Sequence, residues 1–472
     1  MKNLLLFLLL TGTSAYSFAQ VPELPTQKRD NYRQFLSSGH FIGQWLQNEK
    51  SINALEYRLI ATNRETYSSG NWIEDDSTFI NYYLDLKQNT YTSWDWDTLG
   101  NSWVYNNHTL KTYDVQNGCT ESLYESWNGS AWQAQNRNIY TFNSSHFLAT
   151  QNYQTWSGTA WDDLSRYLFS TDGTGRVTEY ISQSWNGTSW NNAIRLSYTF
   201  DLAGNLESSI RQYWNAGSWA NSTKTTYTYD NNHHVLTDLY QSWISGSWVN
   251  NDRSTYTYNA AGLETEELVE DWVGGAWQNY SKTTQLYNNN NKVTQDLDQD
   301  WDVPSNAWIN RTKNTFMYDT NNDVIDQTNY DWIGSTWLED YRYLGSHDSH
   351  HNLIHYYTQN WIASNWVYDN QIFLYYESYT ASAIDNVLSS LNINLYPNPA
   401  DNYLNIEFDL PEGRQINLSL INNLGQSIWQ KNSYLNAGTQ ISSIDISNFP
   451  AGFYFLQIQS DKGQQSHPVQ IR

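Results

Sequence analysis

Ser184–Phe200 reads SWNGTSWNNAIRLSYTF. Trp185 and Trp190 bracket Asn186, Gly187, Thr188 and Ser189, four residues that tolerate tight turns. After Trp190 the chain alternates. Trp190, Asn192, Ile194, Leu196, Tyr198 and Phe200 fall on one side of an extended strand, and Asn191, Ala193, Arg195, Ser197 and Thr199 on the other. This reads as a strand with one apolar face. A turn at Asp201, Leu202, Ala203, Gly204 and Asn205 follows, and Leu206, Ser208, Ile210, Gln212 and Trp214 share a face of the returning strand. Residues that flank a short hairpin loop oppose each other across the strand pair, so each tryptophan pair is expected to close a hairpin.

The same arrangement recurs along most of the chain. The second tryptophan of each pair stands at Trp72, Trp103, Trp132, Trp161, Trp190, Trp219, Trp248, Trp277, Trp308, Trp337 and Trp366. The first stands at Trp96, Trp127, Trp156, Trp185, Trp214, Trp243, Trp272, Trp301, Trp332 and Trp361, with Tyr67 in its place in the first unit. The step is 29 residues and lengthens to 31 only where the tryptophan loop gains two residues, while the interval from a second tryptophan to the next first one is always 24. Insertions confined to one short loop mark that loop as surface and the rest as framework. Eleven units of two strands give an all-β, antiparallel hairpin array, expected to wrap its aromatic face inward as a spiral, a rolled ribbon or a barrel. A propeller, the alternative, would need alternation at twice the unit length.

Composition limits what such an array can contact. Acids outnumber bases 48 to 25, for a net charge of −23, which excludes nucleic acid and anionic lipid as partners. Aromatic residues make up 16% of the chain. Pro304 is the sole proline between Pro25 and Pro397, which leaves a long segment free to pair as sheet. Cys119 is the single cysteine, so no intrachain disulfide or cysteine metal cluster is expected. Lys2, the apolar run Leu4–Leu10 and the small residues around Ala19 read as a cleavable signal peptide over 1–19. The apolar run is too short to span a bilayer, and no membrane insertion is expected. A cap region over 20–66, repeats over 67–380 and a linker over 381–391 precede a small domain at 392–472.

The segment from Tyr198, Thr199, Phe200 and Asp201 through Gly204 to Leu206 resembles the YD (Rhs-type) repeat, as do Tyr227–Asp230 and Tyr256–Gly262. Gln285 and Gly345 depart from it at the first tyrosine position. The resemblance, over roughly 72–380, implies a shell of consecutive hairpins and no chemistry of its own. The final domain alternates as a β-sandwich of about seven short strands. It closely resembles the type A sorting domain of the type IX secretion system. The motif residues are Tyr396, Pro397, Asn398 and Pro399, then Gly425, then Gly452 and Tyr454. The resemblance implies handling by the type IX secretion machinery of a Bacteroidetes-type bacterium. Release, or attachment to the cell surface through lipopolysaccharide, would follow.

Residues with chemical potential are few. His351 and His355 are four apart, a zinc spacing on a helix, but with His347 and His350 they lie in a strand-and-turn context. Asp319–Asp323 resembles a calcium loop with Val324 where a glycine should turn. Asp97, Thr98 and Leu99 resemble a short O-glycosylation motif. Glu125 and Glu270 occupy equivalent repeat positions, whereas a glycosidase needs one unique carboxylate pair. No catalytic residue, metal site or cofactor is expected, and the chain reads as a non-enzymatic adhesion or structural scaffold. The alternative is a glycan-binding protein. Its candidate contacts are Trp127, Trp132, Trp156, Trp161, Trp185, Trp190, Trp214, Trp219, Trp243 and Trp248, with Gln183, Gln212 and Gln241 beside them on the same face. Those tryptophans read first as core, because they share strand parity with Ile, Leu and Tyr. The basic row Arg137, Arg166, Arg195, Lys224, Arg253, Lys282, Lys313 and Arg342, five residues after each second tryptophan, is expected on the opposite, solvated face.

Overall fold

A computed structural model describes residues 56–82, 88–100, 102–379, 393–422, 427–450, 452–460 and 463–471. The expected signal peptide, most of the cap region, the linker and Gly425 lie outside them. The repeats form one 22-stranded antiparallel sheet in which strands pair in chain order. The first strand, Glu56–Ser68, pairs with Asn71–Tyr82 and also with the last, Asn365–Tyr379, so the order of pairing is cyclic. A single sheet of this kind excludes separate propeller blades. Gln371 donates to the Glu65 carboxylate at 2.6 Å across that last junction.

The hairpins form as the loops dictate. Trp185 opposes Trp190, and the pairs Trp156–Trp161, Trp214–Trp219, Trp243–Trp248 and Trp272–Trp277 repeat the register. In the loop after Trp185, Asn186 Oδ1 accepts from the backbone N–H groups of Thr188 and Ser189. After Trp214 the loop shortens. Ala216 and Gly217 both take positive φ, 48° and 88°, which is the backbone of a two-residue turn matched to strand twist. At the other end of the hairpins an Asp or Asn organises the turns from Asp114 to Asp348: Asp201 accepts from the N–H of Asn205, and Asp230 from that of His234.

One feature departs from simple alternation. In the hairpins whose second tryptophan is Trp103, Trp161, Trp190, Trp219, Trp248, Trp277 or Trp308, the register slips by one residue at the third position after that tryptophan. Asn192 opposes Gln183, but Ile194 opposes Ser182, leaving Ala193 as a β-bulge. Ser222, Asn251, Tyr280 and Arg311 are bulged in the same way. A bulge reverses side-chain parity beyond it. Trp190 and Asn192 therefore share a face with Arg195 and Ser197, while Ile194, Leu196 and Tyr198 lie on the other. This corrects the uninterrupted alternation expected above.

The correction moves the packed side of the sheet. Two compact units are built on residues 111–125 with 134–370, and on 56–110, 126–133 and 371–471. In the first, the buried cluster of Tyr180, Leu196 and Tyr198 lies on the face away from the tryptophans. Ser254, Val269, Ser281 and Gln327, all at most 2% exposed, lie on that face too. The tryptophans do not wrap inward. Trp156, Trp214 and Trp243 stay 36–38% exposed.

The packed face is unusually polar. Tyr256 donates its hydroxyl to Asp238 at 2.8 Å, Ser254 donates to Glu267, and Thr283 and Thr312 both donate to Asp298. Asp296 is pushed up to about 7, first by burial and then by the neighbouring carboxylates Asp298 and Glu264.

The C-terminal residues form seven strands in a three-stranded and a four-stranded sheet, as expected. Leu404, Ile406 and Phe408 from one, and Leu418, Leu420, Leu456 and Ile458 from the other, meet in one core. Asn398 ties the start of the domain to its last strand: its side-chain amide donates to the Pro468 carbonyl, and its Oδ1 accepts from Gln470 N–H. Tyr454 is buried and donates to the Pro450 carbonyl.

Candidate binding face

The tryptophan-bearing face is assembled from four positions of each unit. The two indoles meet at a steep angle across the hairpin, with ring centroids 5.1 Å apart and planes inclined by 55° for Trp185–Trp190, and 5.0 Å and 70° for Trp214–Trp219. Trp127–Trp132, Trp156–Trp161 and Trp243–Trp248 close at 5.1, 5.1 and 4.9 Å. The glutamine two residues before the first indole stands beside them. Gln183, Gln212 and Gln241 each donate through Nε2 to the amide oxygen of Asn192, Asn221 and Asn250.

The fourth position is the basic row, and here the expectation is overturned. The bulge brings these side chains onto the tryptophan face, where Arg137, Arg166, Arg195, Arg253, Lys282, Lys313 and Arg342 reach toward the following unit. Arg166 Nε donates to Gln183 Oε1 at 2.6 Å, and Arg195 Nε to Gln212 Oε1 at 2.7 Å. The same guanidinium groups lie over the next second indole, Arg166 at 4.5 Å from the Trp190 centroid and Arg195 at 5.0 Å from that of Trp219. Arg137, Arg253 and Arg342 repeat this on Trp161, Trp277 and Trp366, and Lys282 and Lys313 on Trp308 and Trp337. His108 fills the position before Trp132, with ring centroids 3.9 Å apart. Acids complete several rungs: Glu121 pairs with Arg137 and Glu270 with Arg253.

The result is a ladder of indole, cation, amide and carboxylate. Strands are spaced about 4.8 Å apart, so rungs two strands apart recur at roughly 9.5 Å. The arrangement offers flat aromatic surface edged by hydrogen-bonding groups. It brings eight of the predicted tryptophans, those from Trp156 to Trp248, and the three predicted glutamines together in one repeating constellation, and the Trp127–Trp132 pair repeats its ring geometry. Sequence reasoning missed the arginines and lysines as members of it.

The histidine-rich segment is a turn. His351 takes a positive φ of 68°, and its Nδ1 lies 2.8 Å from Asp323 Oδ2 of the preceding turn. In the suspected calcium loop, Asp319 Oδ1 accepts from the N–H groups of Asn321 and Asp323. Among the described residues no group of three His, Cys, Asp or Glu side chains is arranged to hold a metal. Among the same residues, no helix is long and apolar enough to cross a membrane.

Residues 394–472 match the family described as the secretion system C-terminal sorting domain. This type IX signal marks the protein as exported, to be attached to the cell surface or secreted. No curated protein matches the chain. Among solved structures, a protein of unknown function from Bacteroides fragilis is 15% identical over 28% of this chain and 95% of its own, with a TM-score of 0.23. A porin-like protein from Bacteroides uniformis is 9% identical over 68% of this chain and 98% of its own, with a TM-score of 0.22. The structure of TcdB2-TccC3 is 13% identical over 87% of this chain and 25% of its own, with a TM-score of 0.25.

Proposed function

We propose that this exported chain is a non-enzymatic surface adhesin, a β-repeat scaffold that holds extended polysaccharide chains against its tryptophan face. The observation that carries the reading is the partial exposure of the indoles at rung after rung, with Trp156, Trp214 and Trp243 each more than one-third exposed. Large aromatic side chains repeated at fixed spacing on an accessible face are what stacking on sugar rings requires. The roughly 9.5 Å rung spacing is about the advance of one disaccharide in an extended glycan, so one polymer could engage several rungs. Multivalent contact of this kind converts weak single-rung binding into useful avidity.

A second reading is favoured by a specific observation. The Arg195–Gln212–Asn221 chain satisfies its own hydrogen bonds, and the cation covers part of the indole. On that reading the ladder is a girdle that stiffens the sheet, and adhesion proceeds elsewhere. The test is intrinsic fluorescence of the full mature chain titrated with soluble neutral and acidic polysaccharides. Binding at the ladder shifts the emission and protects the indoles from acrylamide, and Trp214→Ala with Trp243→Ala weakens it. A panel of glycans that leaves quenching unchanged removes the polysaccharide reading and leaves the girdle.

A further inference from the structure

In the final domain, Tyr454, Leu456 and Ile458 of the strand Gly452–Ser460 point into the sandwich core. Alternation therefore turns Phe455 outward, on the side of the four-stranded sheet that the sandwich itself does not cover. Its cross-strand partner is Ile421. An outward phenylalanine on a small soluble domain should be wet, yet Phe455 is only 4% exposed. It stacks on Phe79 with centroids 6.0 Å apart and rings inclined by 25°, and meets Tyr375 at 5.3 Å. Ile60, Ala61, Trp94 and Trp103 complete the cluster, with Trp96 and Ile421 at its margin.

Phe79, Trp94 and Trp103 all belong to the tryptophan-bearing side of the sheet by register. Trp103 holds the second-indole position of its unit, and it is buried, at 7% exposed, where its equivalents Trp161, Trp190, Trp219 and Trp248 are half-buried. Here the face is covered, and what covers it is the sorting domain. We infer that the outer face of that domain, centred on Phe455 and Ile421, is a dedicated docking surface. Its partner is the tryptophan face of the first repeats of the same chain, which it masks. The contact is apolar at its centre and needs no linker to hold it, since the buried rings supply the anchor of an ordinary protein interface. The inference stands whether or not the exposed rungs bind polysaccharide.

The experiment uses the full mature chain with a specific protease site placed within residues 381–391. After cutting, the two pieces are expected to migrate together in sedimentation at micromolar concentration. Phe455→Asp is expected to weaken their association roughly 100-fold, so that they separate, and to raise acrylamide quenching of tryptophan in the uncut chain. Because Phe455 points away from the sandwich core, the variant domain should keep its cooperative unfolding. Phe79→Asp, on the other partner, must separate the pieces as well. Pieces of the unsubstituted chain that drift apart on cutting, or a Phe455→Asp chain that stays assembled with unchanged quenching, would overturn the inference.

Discussion

Arg195 spans two repeats with one side chain. Its guanidinium covers Trp219 and its Nε binds Gln212, while Glu179 lies 3.7 Å away. Removing it should cost both the cation–π contact and one charge-assisted hydrogen bond. Both are partly solvated, so Arg195→Ala is expected to destabilise the array by about 1–2 kcal/mol in urea unfolding. Arg195→Lys should cost less, because Lys282 and Lys313 serve at equivalent rungs. Asp296 makes a prediction of opposite sign. Its folded pKa, about 7, lies above the ordinary carboxylate value of 3.8. The stability it contributes is present below about pH 4 and is lost as pH rises toward 7, when the buried group must ionise. Asp296→Asn should therefore stabilise the protein by about 2 kcal/mol at pH 8 and leave it nearly unchanged at pH 4. Equal pH profiles for the two proteins would refute the assignment.

At the level of the hairpin, the bulge decides which side chains meet. Inserting one residue between Ser182 and Gln183 would give Ala193 a partner, restore continuous pairing, send Arg195 to the packed face and turn Tyr180, Leu196 and Tyr198 outward. The loss of the Tyr180–Leu196–Tyr198 cluster should cost at least 3 kcal/mol, measurable as a lowered urea midpoint. The two-residue loop offers a milder test. Ala216 holds φ at 48°, a conformation asparagine tolerates better, so Ala216→Asn should gain about 0.5 kcal/mol. These elements also show what a sequence can and cannot convey. The hairpins are legible because Trp185 and Trp190 recur at fixed spacing around turn-forming residues. Face assignment is not, because Ala193, Ser222, Asn251, Tyr280 and Arg311 share no chemistry that would announce a bulge. The accessible clue was length. Leu148–Trp156 has nine residues and its partner Trp161–Thr171 has eleven, and strands of unequal length pair fully only if one carries an extra residue. The placement of Phe455 was equally hidden, since an outward aromatic residue in a strand does not name what covers it.

Across the whole molecule, the pairing of Glu56–Ser68 with Asn365–Tyr379 removes the two edges that a linear array would expose. A chain ending at residue 364 should present the unpaired sides of Glu56–Ser68 and Leu353–Ile362 as templates for other chains. Concentration-dependent association of that truncation, absent from the full chain, is the expected outcome in light scattering. A truncation that stays monomeric would mean the junction contributes little.

Cyclic pairing also constrains how such a gene can change. One 29-residue repeat supplies two strands, one in each direction, so duplicating or losing a whole repeat preserves antiparallel sense and every rung of the ladder. Gaining or losing half a repeat would force two neighbours to run parallel at the seam. Recombination between repeats is thereby channelled into whole-unit steps, and related chains should differ by even numbers of strands.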